Sequence, residues 1–249
     1  MRRFGLIGNP VGHSFSRGYF SKKFSEEGIA DAVYENFQLE TIDELPGLLG
    51  RHPDLAGLNV TIPYKQQVLR YLDQIDPEAE AIGAVNCIRI ERRSEKPFLT
   101  GCNADAHGFE ASLLSLTRGT RPDALVLGTG GASRAVDFIL SKHGIRYRPV
   151  SRTASSGTIA YEELTPDVIR MHRLIINTTP LGMYPKMDTF PELPYDAIGP
   201  EHLLIDLVYN PPQTEFLRRG RLRGATAMGG YAMLVVQAER SWAVWNYKI

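Results

Sequence analysis

Cysteine is nearly absent: Cys87 and Cys102 are the only two in 249 residues. Two thiols build no disulfide framework, so both are expected to be free thiols of a reducing compartment. No stretch approaches the roughly 20 apolar residues that a membrane-spanning helix needs. The first ten residues, MRRFGLIGNP, hold two arginines but not the longer apolar run of a secretory signal. Neither sign of charge is in excess, because 28 Lys and Arg balance 28 Asp and Glu. A neutral chain exerts no general attraction on nucleic acid or on acidic membranes, which makes both poor candidates as partners. His and Cys nowhere fall at metal-ligand spacing, so no metal is expected. Repeats and low-complexity tracts are missing too. These absences leave a soluble, cytoplasmic globular protein, and 43% hydrophobic with 22% charged residues fits that class.

What is present is alternation. Short apolar runs read as strands: RFGLIGN, AVYENFQL, LAGLNVTI, VNCIRIE, ALVLG, YRPVS, LIINTT and LLIDLVY. Helical patterns lie between most of them, at 16–27, 42–49, 65–72, 106–116, 133–143 and 214–221. Sixteen prolines and 23 glycines sit largely at the junctions. The order predicts an α/β fold with mostly parallel sheets. A break near 103–105 divides it into residues 1–104 and a second set of βα units over 105–230. The segment 231–247 reads as a terminal helix with no strand after it, a kind that commonly packs back on the first domain.

LVLGTGGASRA is the most specific local signal. A buried strand at 125–127 runs into Gly128, Thr129, Gly130, Gly131 and Ala132, and a helix follows. Glycines there let the backbone approach a pyrophosphate, which the helix N-terminus then stabilises. The next strand ends in Ser151, Arg152 and Thr153, where an NAD-binding unit usually carries an acid for the ribose. An arginine with two hydroxyls suits a 2′-phosphate instead, which favours NADP over NAD. The plain alternative is a solvated arginine at a strand end.

LNVTIPYK ends a strand at Pro63 and sets Lys65 just beyond it, where a solvated lysine would be ordinary. GNPVGHSFS brings Ser14 and Ser16 into one loop, and Ser16 also reads as the N-cap of the helix that follows. Together with IGAVNCI, GCNADAHG, GTGGASRA, SRT, NTTPLGM, DLVYNP and GGYAMLVVQA, these motifs stand in one family's order. The chain resembles the shikimate/quinate dehydrogenase family, NADP-dependent oxidoreductases of aromatic amino-acid biosynthesis. The resemblance spans nearly the whole sequence.

It implies two α/β domains around a cleft, an N-terminal substrate domain completed by helix 231–249 and a Rossmann-like NADP domain over 105–230. It implies reversible reduction of 3-dehydroshikimate to shikimate. Lys65 and Asp105 would be the catalytic pair. Ser14 and Ser16 would hold the substrate carboxylate, with Thr61, Asn86, Tyr209 and Gln237 on the ring hydroxyls and carboxylate. The glycine turn 128–132 would cradle the pyrophosphate and Ser151, Arg152 and Thr153 the adenosine phosphate. Leu207 and Gly230 would approach the nicotinamide. Each polar residue also has a plain reading: Asp105 as a helix N-cap, Gln237 as a helix-surface residue, His13 as a group that orders the serine loop.

Four departures from the family pattern stand out. Arg17 replaces a common proline, and Ala104 a threonine. Ser155 stands where a second arginine often follows SRT, with Arg148 as the candidate substitute. The region 154–170 is short and lacks a clear helical pattern. The last two bear on how strictly NADP is preferred, so mixed NAD and NADP use on quinate and shikimate stays open. A silent paralogue that binds these ligands without turnover is the alternative from outside the enzymes. Monomer and homodimer both remain open.

Overall fold

The computed structural model describes residues 1–12, 14–92 and 96–246. The chain forms two compact units, Met1–Ala104 with Ala238–Ile249, and Asp105–Gln237. The second crossing between units falls inside the last helix, between Gln237 and Ala238, rather than at its start near Gly230.

In the first unit the elements are β1 (Arg2–Gly8), α1 (Phe15–Glu26), β2 (Ala32–Gln38), α2 (Leu45–Arg51), β3 (Leu55–Val60), β4 (Gln74–Ile75), α3 (Pro77–Ile82), β5 (Cys87–Arg92) and β6 (Pro97–Cys102). One sheet holds the strands in the order β2-β1-β3-β5-β6-β4, and only β5 runs against the others. Alternation along β1 sends Ile7 to one face and Phe4 and Leu6 to the other, as a two-sided buried strand requires. On the second face Phe4, Phe20, Phe24, Tyr34, Trp242 and Trp245 pack ring on ring, with Phe4 and Trp245 stacked at 4.8 Å. This aromatic layer seats the end of the terminal helix on the sheet. Gly57 makes room for it, since a Cβ there would lie 2.3 Å from the Trp245 ring.

The helix expected over 65–72 is instead a turn followed by a 3₁₀ segment, Gln67–Tyr71. The Lys65 carbonyl accepts the Val85 N–H at 2.8 Å, so it is not available to an α-helical bond from Leu69. Strands β4 and β6 and helix α3 are absent from the sequence reading. α3 nevertheless has full end signals: Asp76 accepts the Glu78 N–H at 2.9 Å, Pro77 follows, and Gly83 closes it at φ 71°.

The second unit contains α4 (Ala104–Thr117, Ala104 itself in the first unit), β7 (Ala124–Leu127), α5 (Gly131–Lys142), β8 (Tyr147–Ser151), β9 (Ile159–Ala160), α6 (Pro166–Met171), β10 (Leu174–Asn177), β11 (Leu203–Asp206), α7 (Glu215–Leu222), β12 (Thr226–Met228) and α8 (Tyr231–Asn246, running on into the first unit). Its sheet is wholly parallel in the order β12-β11-β10-β7-β8-β9. That is the doubly wound order, with strand direction of travel reversing between β7 and β10. The absence of a helix expected for 154–170 is corrected: α6 lies there, capped by Thr165, whose hydroxyl accepts the Val168 N–H at 3.3 Å. Its apolar periodicity is too short to register, but its Thr-Pro start was readable. Residue 247, the expected end of the last helix, lies outside the described residues.

A buried polar knot closes the second sheet. Asp206, with no exposed surface, accepts hydrogen bonds from Asn177 at 2.9 Å, the Val208 N–H at 3.0 Å and Thr214 at 2.5 Å. Burial pushes its carboxyl up to about 6, against those three donors. The folded chain therefore holds this proton more tightly than the unfolded one, and the associated stability falls as pH rises through about 4 to 6. Asp206→Ala strands three buried donors and should cost about 3 kcal/mol at neutral pH, read as a lower urea midpoint.

Candidate active site

The C-terminal edge of the first sheet gathers the loops after β1, β3 and β6 and the entry to β5. These segments contain Ser14 and Ser16, Thr61 and Lys65, Asn86, and Asn103–Ala104. Open α/β sheets bind ligands at such an edge.

Each residue is set there by local bonds. Ser14, not Ser16, caps α1, its Oγ accepting the Ser16 N–H at 3.2 Å. Ser16 is thereby the second residue of the helix. His13 lies outside the described residues. The Thr61 N–H donates to the Ile7 carbonyl at 2.9 Å, continuing the β1–β3 pairing past the strand end. Gly8 lets Thr61 sit close, as a Cβ there would meet its methyl at 2.3 Å. Lys65 is half-buried, with its backbone pinned by Val85. Asn86 is 3% exposed, and its Oδ1 accepts the Ala104 N–H at 2.6 Å. That bond orients the carboxamide and turns its NH₂ into the group it can offer a ligand.

Asp105 is not a cap: α4 begins at Ala104 and holds Asp105 within its first turn, where an acid favours the helix dipole. Gln237 is not a surface residue, being 7% exposed and donating to the Leu234 carbonyl at 3.0 Å. It stands beside Gly108 of α4, where a Cβ would come within 2.6 Å of the Met233 carbonyl. Tyr209 is half-buried, and burial raises its phenol above the usual value. Lys65 and Asp105 belong to different units, as do Asn86 and Gln237.

Sequence reasoning passed over the support of this edge. Tyr34 donates to Asn59 Oδ1 at 2.9 Å. The Asn59 amide in turn donates to Ser241 at 2.8 Å and to the Asn86 carbonyl at 3.3 Å. The signal was available, since an asparagine inside a buried apolar strand needs partners.

In the second unit the glycine turn lies at the reversal point of the sheet. Gly128 has φ 103° and a Cβ there would press on Thr178 and Thr179 at 2.9 Å, so only glycine fits. Around Gly130 and Gly131 a Cβ would meet nothing within 4 Å. Gly130 caps α5 without a side chain, which leaves backbone N–H groups of the first turn for a ligand. Ser151, at the end of the adjacent β8, shapes its loop by accepting the Thr153 N–H at 3.1 Å. Arg152 and Thr153 are exposed beside it. Ser155 is exposed and hydrogen-bonds Thr158. An open backbone cradle, a bare helix N-terminus and a neighbouring arginine fit a dinucleotide with an added phosphate. Leu207 follows β11, and the Gly230 N–H donates to the Val208 carbonyl at 3.1 Å. A cavity of about 650 Å³ lined by Arg118, Arg121, Arg173 and Glu201 opens among the N-terminal ends of the strands, away from this turn. Among the described residues no helix is long and apolar enough to cross a membrane.

The family model for the shikimate dehydrogenase substrate binding domain matches residues 6–88. The shikimate dehydrogenase (NADP(+)) of Clostridium beijerinckii is 38% identical over 256 residues, spanning 99% of this chain and 92% of its own. The chain belongs to the shikimate dehydrogenase family. The shikimate dehydrogenase of Thermus thermophilus, solved with NADP(H) and shikimate, superposes with a TM-score of 0.83. It is 32% identical over 99% of this chain and 94% of its own. Shikimate dehydrogenases do not monopolise the fold: 5-ketofructose reductase of a Gluconobacter strain matches at TM-score 0.83 and 27% identity, over 98% of this chain and 92% of its own.

Proposed function

We propose that the chain is a cytoplasmic NADP-dependent shikimate dehydrogenase, interconverting 3-dehydroshikimate and shikimate. The observation that carries this reading is the gathering of Ser14, Ser16, Thr61, Lys65 and Asn86 at one sheet edge in a member of this family. The first unit is the substrate domain and the second the NADP domain. The Ser14 and Ser16 hydroxyls donate to the substrate carboxylate. Thr61, Asn86, Tyr209 and Gln237 fix the ring through its hydroxyls and carboxylate, so the reacting carbon is presented in one orientation. Backbone N–H groups of 128–132 hold the pyrophosphate, Ser151, Arg152 and Thr153 the 2′-phosphate, and Leu207 and Gly230 border the nicotinamide.

The nicotinamide, when bound, accepts or supplies the hydride. The protein's own task is the proton. As the alcohol is oxidised, Lys65 takes the hydroxyl proton or offsets the charge of the developing alkoxide, with Asp105 as its partner. In reduction Lys65 stabilises and protonates the developing alkoxide.

Selectivity for NADP rests on Arg152, with Arg148 the candidate substitute for the second arginine whose place Ser155 occupies. Assaying shikimate and quinate, each with NADP and NAD, should give the highest kcat/KM for shikimate with NADP. Arg152→Ala should raise the KM for NADP by about 10- to 100-fold, the worth of one charge-assisted contact, and leave NAD nearly unchanged. Quinate turned over with NAD as efficiently as shikimate with NADP would replace this reading with the mixed-specificity one.

A further inference from the structure

We propose that Cys87 and Cys102 are a redox modification site, closing to a reversible disulfide that distorts the sheet edge where Asn86 sits. The two are the only cysteines, both free, and they stand directly opposite each other at the end of the antiparallel β5–β6 ladder. Opposed residues in such a ladder have Cα atoms about 4.5–5.5 Å apart, inside the roughly 4.4–6.8 Å that disulfides span. Within the first unit, Cys102 is partly exposed and Cys87 has no exposed surface, which sets the order of reaction.

A low-molecular-weight disulfide is the oxidant. The Cys102 thiolate attacks one of its sulfurs, forms a mixed disulfide and expels one small thiolate. Cys87 then attacks the Cys102 sulfur and expels the second. Two protein thiols are oxidised, the small disulfide is reduced to two thiols, and the two protein thiol protons pass to the leaving groups. Burial first, and the Cys102 neighbour next, push the Cys87 thiol up, which makes the second step the slower one.

The bond has a mechanical consequence. Opposed Cβ atoms in a ladder lie about 4.5–5.5 Å apart, whereas a disulfide needs roughly 3.5–4.5 Å. Closure therefore draws the strand ends together by about 1 Å. Asn86 immediately precedes Cys87, and Asn103 and Ala104 immediately follow Cys102. The Asn86 N–H donates to the Cys102 carbonyl at 3.2 Å and Asn86 Oδ1 holds the Ala104 N–H at 2.6 Å, so the displacement reaches both. The effect on turnover rests on Asn86 and Asp105 serving as proposed above. A misplacement of this size costs up to about 10²-fold in rate.

The full chain is incubated with oxidised glutathione, mapped by mass spectrometry without reduction, and assayed before and after dithiothreitol. A Cys87–Cys102 linked peptide should form, with turnover lowered about 10- to 100-fold and restored by the reductant. Cys102→Ser should keep normal turnover and ignore the oxidant, whereas Cys87→Ala should keep normal turnover before oxidation and then stop at the mixed disulfide on Cys102 with no linked peptide; the first, at a partly exposed site, serves alone if the second fails to fold. Absence of the linked peptide, linkage with unchanged turnover, or equal inactivation of Cys102→Ser each overturns the proposal. Reduced protein that does not oxidise shikimate at all counts against the functional reading instead, and the linked peptide then decides the disulfide by itself.

Discussion

Lys65→Ala should lower kcat for shikimate oxidation by about 10²- to 10⁴-fold, the usual worth of one positioned acid–base group, and leave NADP affinity unchanged. Three features of the local structure support so large an effect. The turn through Pro63 stops β3 and sets Lys65 at the sheet edge. The Val85 N–H takes its carbonyl and blocks helix propagation, so the side chain hangs from a fixed backbone rather than from a mobile first turn. The position is half-buried, which limits the number of poses the ammonium can adopt. The cofactor site proposed for the second unit is built from other residues, so truncating Lys65 should remove the proposed proton handling without touching dinucleotide affinity. Rapid-mixing kinetics and a separate NADP titration check both halves. Lys65→Arg keeps the charge but loses the transferable proton, so it should recover little of the rate.

Gly230→Ala should be nearly as damaging, for a steric reason. A Cβ at 230 would lie 2.4 Å from the Leu207 carbonyl oxygen, 2.8 Å from its carbon and 3.1 Å from the Val208 carbonyl carbon. All three are backbone atoms and cannot rotate away. The two segments proposed to border the nicotinamide must then part by something on the order of an ångström, which should cost about 10²-fold in rate. Overpacking adds roughly 1–3 kcal/mol of instability. Gly130→Ala is the control, because its Cβ would meet no protein atom within 4 Å. That variant should fold normally and lose cofactor affinity instead. Equal turnover in wild type and Gly230→Ala would remove Leu207 and Gly230 from the site.

Much of the fold was legible because it rests on local pattern. Buried runs such as ALVL and LIIN, separated by capped helices, specify parallel strands wherever they lie in the chain. The glycine turn was equally readable, since Gly128 answers a backbone demand that no other residue meets. What escaped depends on distant partners or on very short segments. Nothing near Lys65 announces that Val85 will take its carbonyl, so a 3₁₀ turn replaces the expected helix. Strands β4 and β9, two residues each, are too short to show any period. Ser14 and Ser16 were both good caps by type, and the structure gives the cap to Ser14. The register that sets Cys87 against Cys102 could not be read, because PFLTGC has neither a clean alternation nor a turn that fixes its partner.

The account is tested most directly by following NADP⁺ reduction by the purified chain with shikimate as the only reductant. It predicts NADPH formation that requires shikimate and falls with Lys65→Ala. Binding of both ligands with no NADPH formed would contradict it, and would leave the chain a silent member of an enzyme family.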